Sequence, residues 1–138
     1  MPHVSRAGIP AILLSLFAFS ALNLPAAAQE GDAAAGKKVF GKCQACHQLG
    51  ESARNTVGPQ LNGLARRAVG SVQGYRYSKA LAAAGGRWTD TRLAAFLAAP
   101  RTAVPGTKMA FAGLRNADDI RNLIAYLSGF EASGAQVN

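Results

Sequence analysis

Cys43-Gln44-Ala45-Cys46-His47 sets two thiols three residues apart, with a histidine directly after the second. This is the C-x-x-C-H pattern of c-type haem attachment. Each sulfur of such a motif adds to one haem vinyl group to give a thioether, and the neighbouring imidazole is then placed beneath the iron. Attachment through Cys43 and Cys46 and ligation through His47 thus come from one short segment. A redox dithiol would want a strand-helix context with its first cysteine at a helix start, whereas this motif ends an amphipathic segment. A zinc site would need two further Cys or His ligands, and beyond the motif the chain offers only His3 near its N-terminus.

The 138 residues suggest one domain preceded by a leader. Arg6 supplies a positive start, Ile9 to Leu24 is almost wholly apolar, and Ala26-Ala27-Ala28 offers the small-residue cleavage pattern of a secretory signal. Residues 1–28 therefore read as a signal peptide and residues 29–138 as the functional domain. An uncleaved anchor is the alternative, but the apolar run is short for a membrane span. Export agrees with the cysteines, because covalent haem attachment takes place in an oxidising compartment. A structural disulfide between Cys43 and Cys46 would close too small a loop to restrain much of the unfolded chain.

Fifteen Lys plus Arg stand against seven Asp plus Glu, and of the basic residues only Arg6 falls in the leader. The positive residues are scattered, with none of the motifs of a nucleic-acid module, which argues against nucleic acid. An acidic protein partner, steered in by long-range attraction, accounts for the same charge.

Asp32 can cap a helix from Ala33 to about Lys42, in which Gly36, Val39, Phe40 and Cys43 follow helical spacing. Gly36 on its apolar face costs about 1 kcal/mol relative to alanine, a cost that close approach of a second helix would justify. Residues 48–74, rich in glycine and lacking periodicity, read as a folded loop that needs a cofactor face to pack on. Ser78 caps a short helix ended by Gly85-Gly86, and Thr89 caps another, with Leu93, Phe96 and Leu97 on one face, that Pro100 stops. Asn116 caps the last, with Ile120, Leu123, Ile124 and Leu127 as its stripe, and the chain beyond Gly129 is expected to fray. No strand alternation is present, so the domain is all-α: four to five short helices and long loops wrapped around one haem, with folding dependent on the cofactor.

Outside the leader there is one histidine, His47, and one methionine, Met109. A second histidine ligand from the same chain is impossible, which leaves Met109, a lysine or an open sixth position. Met109 follows Val104-Pro105-Gly106-Thr107-Lys108, a loop between two helices that can present its side chain to the haem.

Together these stretches resemble a class I c-type cytochrome, similar to mitochondrial cytochrome c and its soluble bacterial relatives. The matching segments are the Gly36/Phe40 helix, Cys43 to His47, Gly58-Pro59-Gln60-Leu61-Asn62-Gly63-Leu64, Trp88, Pro105 to Met109 and Leu123-Ile124-Ala125-Tyr126-Leu127. The resemblance implies a cytochrome c fold, one covalently attached haem c, and His47 and Met109 as iron ligands. It further implies that the Pro59 carbonyl accepts the axial histidine's Nδ1 hydrogen, and that Arg67, Tyr77, Trp88 and Thr107 lie around the haem propionates. Gly36 and Phe40 would pack against Leu123 and Tyr126 where the terminal helices cross.

Two positions depart from the mitochondrial pattern: Phe96 where a tyrosine usually reaches toward the methionine sulfur, and Leu81 where an asparagine usually joins the same hydrated network. Replacing both with apolar side chains avoids stranding either polar group, so a drier pocket beside Met109 is expected.

The implied function is one-electron transfer by a soluble periplasmic monomer of a Gram-negative bacterium, not catalysis. It would carry electrons from a cytochrome bc complex or dehydrogenase to an oxidase, peroxidase or photosynthetic reaction centre. No stable membrane insertion is expected after signal cleavage. Lys37, Lys38, Lys42, Arg101, Lys108 and Arg115 would include the charges that meet acidic partner surfaces. A haem peroxidase or gas sensor with a labile Met109, or a fixed subunit of a larger redox enzyme, are the alternatives.

Overall fold

In the computed structural model, which describes residues 30–137, Asp32 is extended and its carboxylate accepts from the amides of Ala34 and Ala35. These are orphan donors of a helix start, and α1 follows as Ala33–Phe40. The expected leader, 1–28, lies outside the described residues. Ser78 caps α2 (Lys79–Ala83) through the amide of Leu81, and Thr89 caps α3 (Asp90–Ala98) through the amide of Arg92. Asn116 caps the last helix, Ala117–Ser128, by accepting from Asp118 and Asp119, whose carboxylates also favour the positive helix end.

Pro100 stops the third helix as expected, and a separate short helix begins at the proline itself. Proline disfavours the helical conformation of the residue before it, and Ala99 sits at φ −154°, ψ 80°, which ends α3. Pro100 then takes the first position of α4 (Pro100–Ala103), where its missing N–H has no helical partner to lose. The last helix is therefore α5.

Helices α1 and α5 cross in close contact. A Cβ built on Gly36 would lie 1.9 Å from the Asn122 carbonyl oxygen, and one on Gly31 would lie 2.2 Å from that of Arg121. The Gly36 approach was expected; Gly31 extends the same contact back beyond the helix start. Asn122 Oδ1 accepts from the Asp32 N–H at 2.8 Å, and the rings of Phe40 and Tyr126 meet at 5.6 Å between centroids. Leu123, 1% exposed, sits at the centre of the packed face.

Residues 48–74 form a chain of turns without a helix. Antiparallel bridges occur between Ala68 and Arg87 and between Phe130 and Gln136, with no longer strand pairing among the described residues. The second bridge corrects the expectation that the chain frays beyond Gly129. Glu131 donates to the Ala135 carbonyl at 2.9 Å and Val137 to that of Gly129 at 2.8 Å, while Gly63 donates to the Phe130 carbonyl at 3.2 Å. The tail is thus folded on itself and fastened to the long loop. No helix among the described residues is long and apolar enough to cross a membrane.

Candidate haem site

The turn after α1 carries the attachment motif because it continues to coil. The amide of Cys43 donates to the Phe40 carbonyl at 2.8 Å, and that of His47 to the Cys43 carbonyl at 2.9 Å. Both thiols are free and half-buried, and both line one cavity of about 370 Å³. Burial pushes the Cys43 thiol up against the opposing pull of Lys42, with a smaller upward contribution from Cys46. A nucleophilic redox cysteine has the opposite shift, so the surroundings of Cys43 do not favour a redox dithiol. Among the described residues no group of three or more His, Cys, Asp or Glu is placed to hold a metal ion.

His47 enters the cavity from the same turn. Its Nδ1 lies 2.8 Å from the Pro59 carbonyl oxygen. A carbonyl can only accept, so Nδ1 carries the hydrogen and the Nε2 lone pair is left free. Burial lowers the pKa of the imidazole, the bond to Pro59 opposes this, and the charge of Arg67 adds to the lowering. The balance favours the neutral ring that a metal ion needs. Gly58 makes room for it: a Cβ there would lie 2.3 Å from Cε1 of the imidazole.

Met109 lines the same cavity from the loop after α4, half-buried, with its amide donating to Thr107 Oγ1 at 3.3 Å. The walls between are apolar: Leu93, Phe96 and Leu97 from α3, Leu123 and Leu127 from α5, and Leu64 from the long loop. Trp88 is 6% exposed and packs on Phe96 at 5.1 Å between centroids, under the guanidinium of Arg92.

Arg67 lines the cavity and is held from behind. Its two terminal nitrogens donate to the carbonyls of Asn62 (2.6 Å) and Gln60 (3.2 Å), while Nε is buried without a partner. An orphaned, buried guanidinium N–H beside an otherwise apolar chamber costs free energy, and an anion at the chamber's edge would offset the buried charge. A haem propionate is such an anion. Tyr77 borders the same chamber, its hydroxyl accepting from the Val72 amide at 3.3 Å. A paired-thiol turn, an imidazole with Nε2 free, a methionine, an apolar chamber and an unpartnered arginine N–H all fit a c-type haem.

Three connections had no clear sequence signal. Asn55 donates to the Gln73 carbonyl and accepts from the Gln60 amide, Asn62 grips Gly50, and the Tyr75 hydroxyl donates to the Val57 carbonyl at 2.8 Å. Asparagines in a glycine-proline loop are the cue that could have marked the first two. Lys108, expected as a docking charge, is exposed and also donates to the Arg76 carbonyl, 4.6 Å from the Tyr75 ring centroid. Lys42 likewise pairs with Asp119 at 3.7 Å.

Such a site defines a protein that binds haem covalently. The family model described as Cytochrome c matches residues 33–130. Cytochrome c-550 of Nitrobacter winogradskyi is 49% identical over 104 residues, covering 75% of this chain and 95% of its own. A cytochrome c2 of Afifella marina is 50% identical over 110 residues, covering 77% and 89%. Among solved structures, cytochrome cH from Methylobacterium extorquens superposes with a TM-score of 0.67 at 43% identity, over 70% of this chain and 97% of that one. The chain belongs to the cytochrome c family, and its cofactor is covalently attached haem c. It is an electron-transport protein, not an enzyme.

Proposed function

We propose that the chain is a soluble, monomeric one-electron carrier of the bacterial periplasm, released from the leader formed by residues 1–28. It would take electrons from a cytochrome bc complex or dehydrogenase and deliver them to an oxidase, peroxidase or reaction centre. The observation that carries this is the presence of His47 and Met109 on one apolar cavity. Were both to ligate the iron of a bound haem, no position on it would be left for a substrate.

Bound haem supplies reversible Fe(III)/Fe(II) cycling, and a methionine ligand favours the ferrous state. The chain's own residues do the rest. Cys43 and Cys46 anchor the group, Pro59 orients His47, and Met109 is offered from the loop held by Thr107. Arg67, Tyr77, Trp88 and Thr107, which line the cavity, would hold the propionates of a bound haem. The leucines and Phe96 exclude water, so the charge change occurs in a medium that need not reorganise. Lys37, Lys38, Arg101 and Arg115 are exposed, and with the partly engaged Lys42 and Lys108 they supply positive charge for acidic partners.

The optical spectrum of the oxidised protein tests the ligation. A weak long-wavelength band of ferric iron bound to methionine sulfur is expected, and it should vanish in Met109→Ala. Absence of the band together with immediate binding of added ligands would mean an open site, and would transfer the protein to the peroxidases or gas sensors.

A further inference from the structure

Asn62, 5% exposed, is the single polar side chain in the buried set of the described residues, and it is directed wholly at Gly50. Its Oδ1 accepts from the Gly50 amide and its Nδ2 donates to the Gly50 carbonyl, each at 2.9 Å. Two such bonds join residue 62 to residue 50 as a rung joins two strands. Between them runs the loop that presents Gly58 and Pro59 to His47.

The C-terminal tail closes on both ends of this loop. Gly134, at φ +89°, lies so close to Gly50 that a Cβ there would be 2.3 Å from the Gly50 carbonyl carbon and oxygen. The Phe130 carbonyl accepts from the Gly63 amide at 3.2 Å, and Ala132 rests against the face of Gly63, where a Cβ would meet it at 3.0 Å. Phe130 is itself rooted edge-on against Tyr126 of α5 at 5.3 Å. Arg67 holds the same segment from the cavity side through the carbonyls of Gln60 and Asn62.

We propose that residues 129–137 are a positioning element for the axial histidine: by clamping Gly50 and Gly63 they hold the Pro59 carbonyl on the Nδ1–H of His47. The inference rests on the reading of His47 as an iron ligand. That bond sets the plane of the imidazole and raises the basicity of its other nitrogen, the one offered to the metal. A tail of exposed residues held only to itself would open far more readily than the core. Clamped to the loop, it opens with the loop.

Native-state hydrogen exchange on the oxidised haem protein, followed by NMR, separates the cases. The amides of Val137 and Gly63 and the Nδ1–H of His47 are expected to exchange through one opening with one denaturant dependence. Gly134→Ala should accelerate all three together by about tenfold while leaving α3 amides such as that of Leu97 unchanged. Tail amides that open while the His47 proton keeps its protection, in the unmodified protein or in Gly134→Ala, would overturn the proposal. If Gly134→Ala does not fold, the exchange pattern of the unmodified protein decides by itself. Failure of the ligation reading looks different: the His47 ring signals would then lack the large paramagnetic shift of an iron ligand, whatever the tail does.

Discussion

The ring of His47 stands against the backbone of Gly58, so close that a methyl group at residue 58 would occupy the same space as Cε1. Gly58→Ala must therefore push the imidazole off its bond to Pro59 or shift the loop. Overpacking of this kind costs about 1–3 kcal/mol. A lower melting temperature and a weakened His47 ligation spectrum are expected. An unchanged spectrum and melting curve would show that the loop yields freely.

Gly36→Ala tests the helix crossing in the same manner. The new Cβ would lie 1.9 Å from the Asn122 carbonyl oxygen, which is backbone and cannot rotate away. Separation of α1 from α5 should destabilise the domain by about 1–3 kcal/mol. Thermal unfolding of the haem protein would read this as a drop of several degrees per kcal/mol, roughly 4–8 °C for a domain of this size.

Acid should weaken the fold through His47. Its folded pKa is lowered, first by burial, so the folded chain binds fewer protons than the unfolded chain as pH falls through the histidine range. The stabilising contribution is fully present above the unfolded value, about 6.5, and is lost as pH drops toward the folded value. Iron ligation, which also needs the neutral ring, acts in the same direction. Urea midpoints should fall as the pH is lowered from neutrality; midpoints that stay flat or rise would contradict the sign.

Arg66 sits at φ 77°, the one non-glycine residue with positive φ among the described residues. Its amide donates to the Trp88 carbonyl at 2.9 Å, and that hydrogen bond beside the Ala68–Arg87 bridge holds the conformation. A left-handed L-residue costs about 1–2 kcal/mol, which Arg66→Gly relieves at a smaller loss from the freer unfolded chain. The variant is expected to melt a few degrees higher. A lower melting temperature would indicate that the Arg66 side chain carries packing of its own.

Leu81 borders the cavity and Phe96, 6% exposed, is packed on Trp88. Leu81 is half-buried, so an amide introduced there would press a polar group partly into this apolar corner, a penalty of up to about 1–3 kcal/mol. Leu81→Asn should accordingly lower the denaturation midpoint. A variant that melts higher would mean that the pocket beside Met109 holds water able to satisfy the amide.

Charge docking is read by kinetics. Electron transfer to an acidic partner should slow as ionic strength rises. Because Lys42 and Lys108 already have contacts within the chain, Lys37→Gln or Arg101→Gln should reduce the salt dependence more purely than changes at those two. A rate indifferent to salt would remove steering from the account.

The attachment motif was legible from five adjacent residues, and counting histidines and methionines outside the leader narrowed the sixth position to Met109, a lysine or none. The helix starts were legible for a similar reason. Asp32, Ser78, Thr89 and Asn116 satisfy amides two or three residues away, so cause and effect share one short window of sequence. Gly36 lay between these cases: its cost in a helix demanded a close neighbour, and the structure supplies Asn122.

What only the tertiary structure decided are the contacts whose partners are far apart along the chain. Nothing local to Gly50 announces that Asn62 will hold it from one side and Gly134 from the other. A polar tail after Gly129 looks free to fray until Gly63 and Gly50 are brought beneath it, and nothing in the sequence announced that the proline that stops α3 also opens α4. Local hydrogen bonds and spacing thus determined the helices and the attachment motif, because these need only the chain's own neighbours. The support of His47, from Pro59 outward to the tail, depends on segments that meet only after the chain has folded.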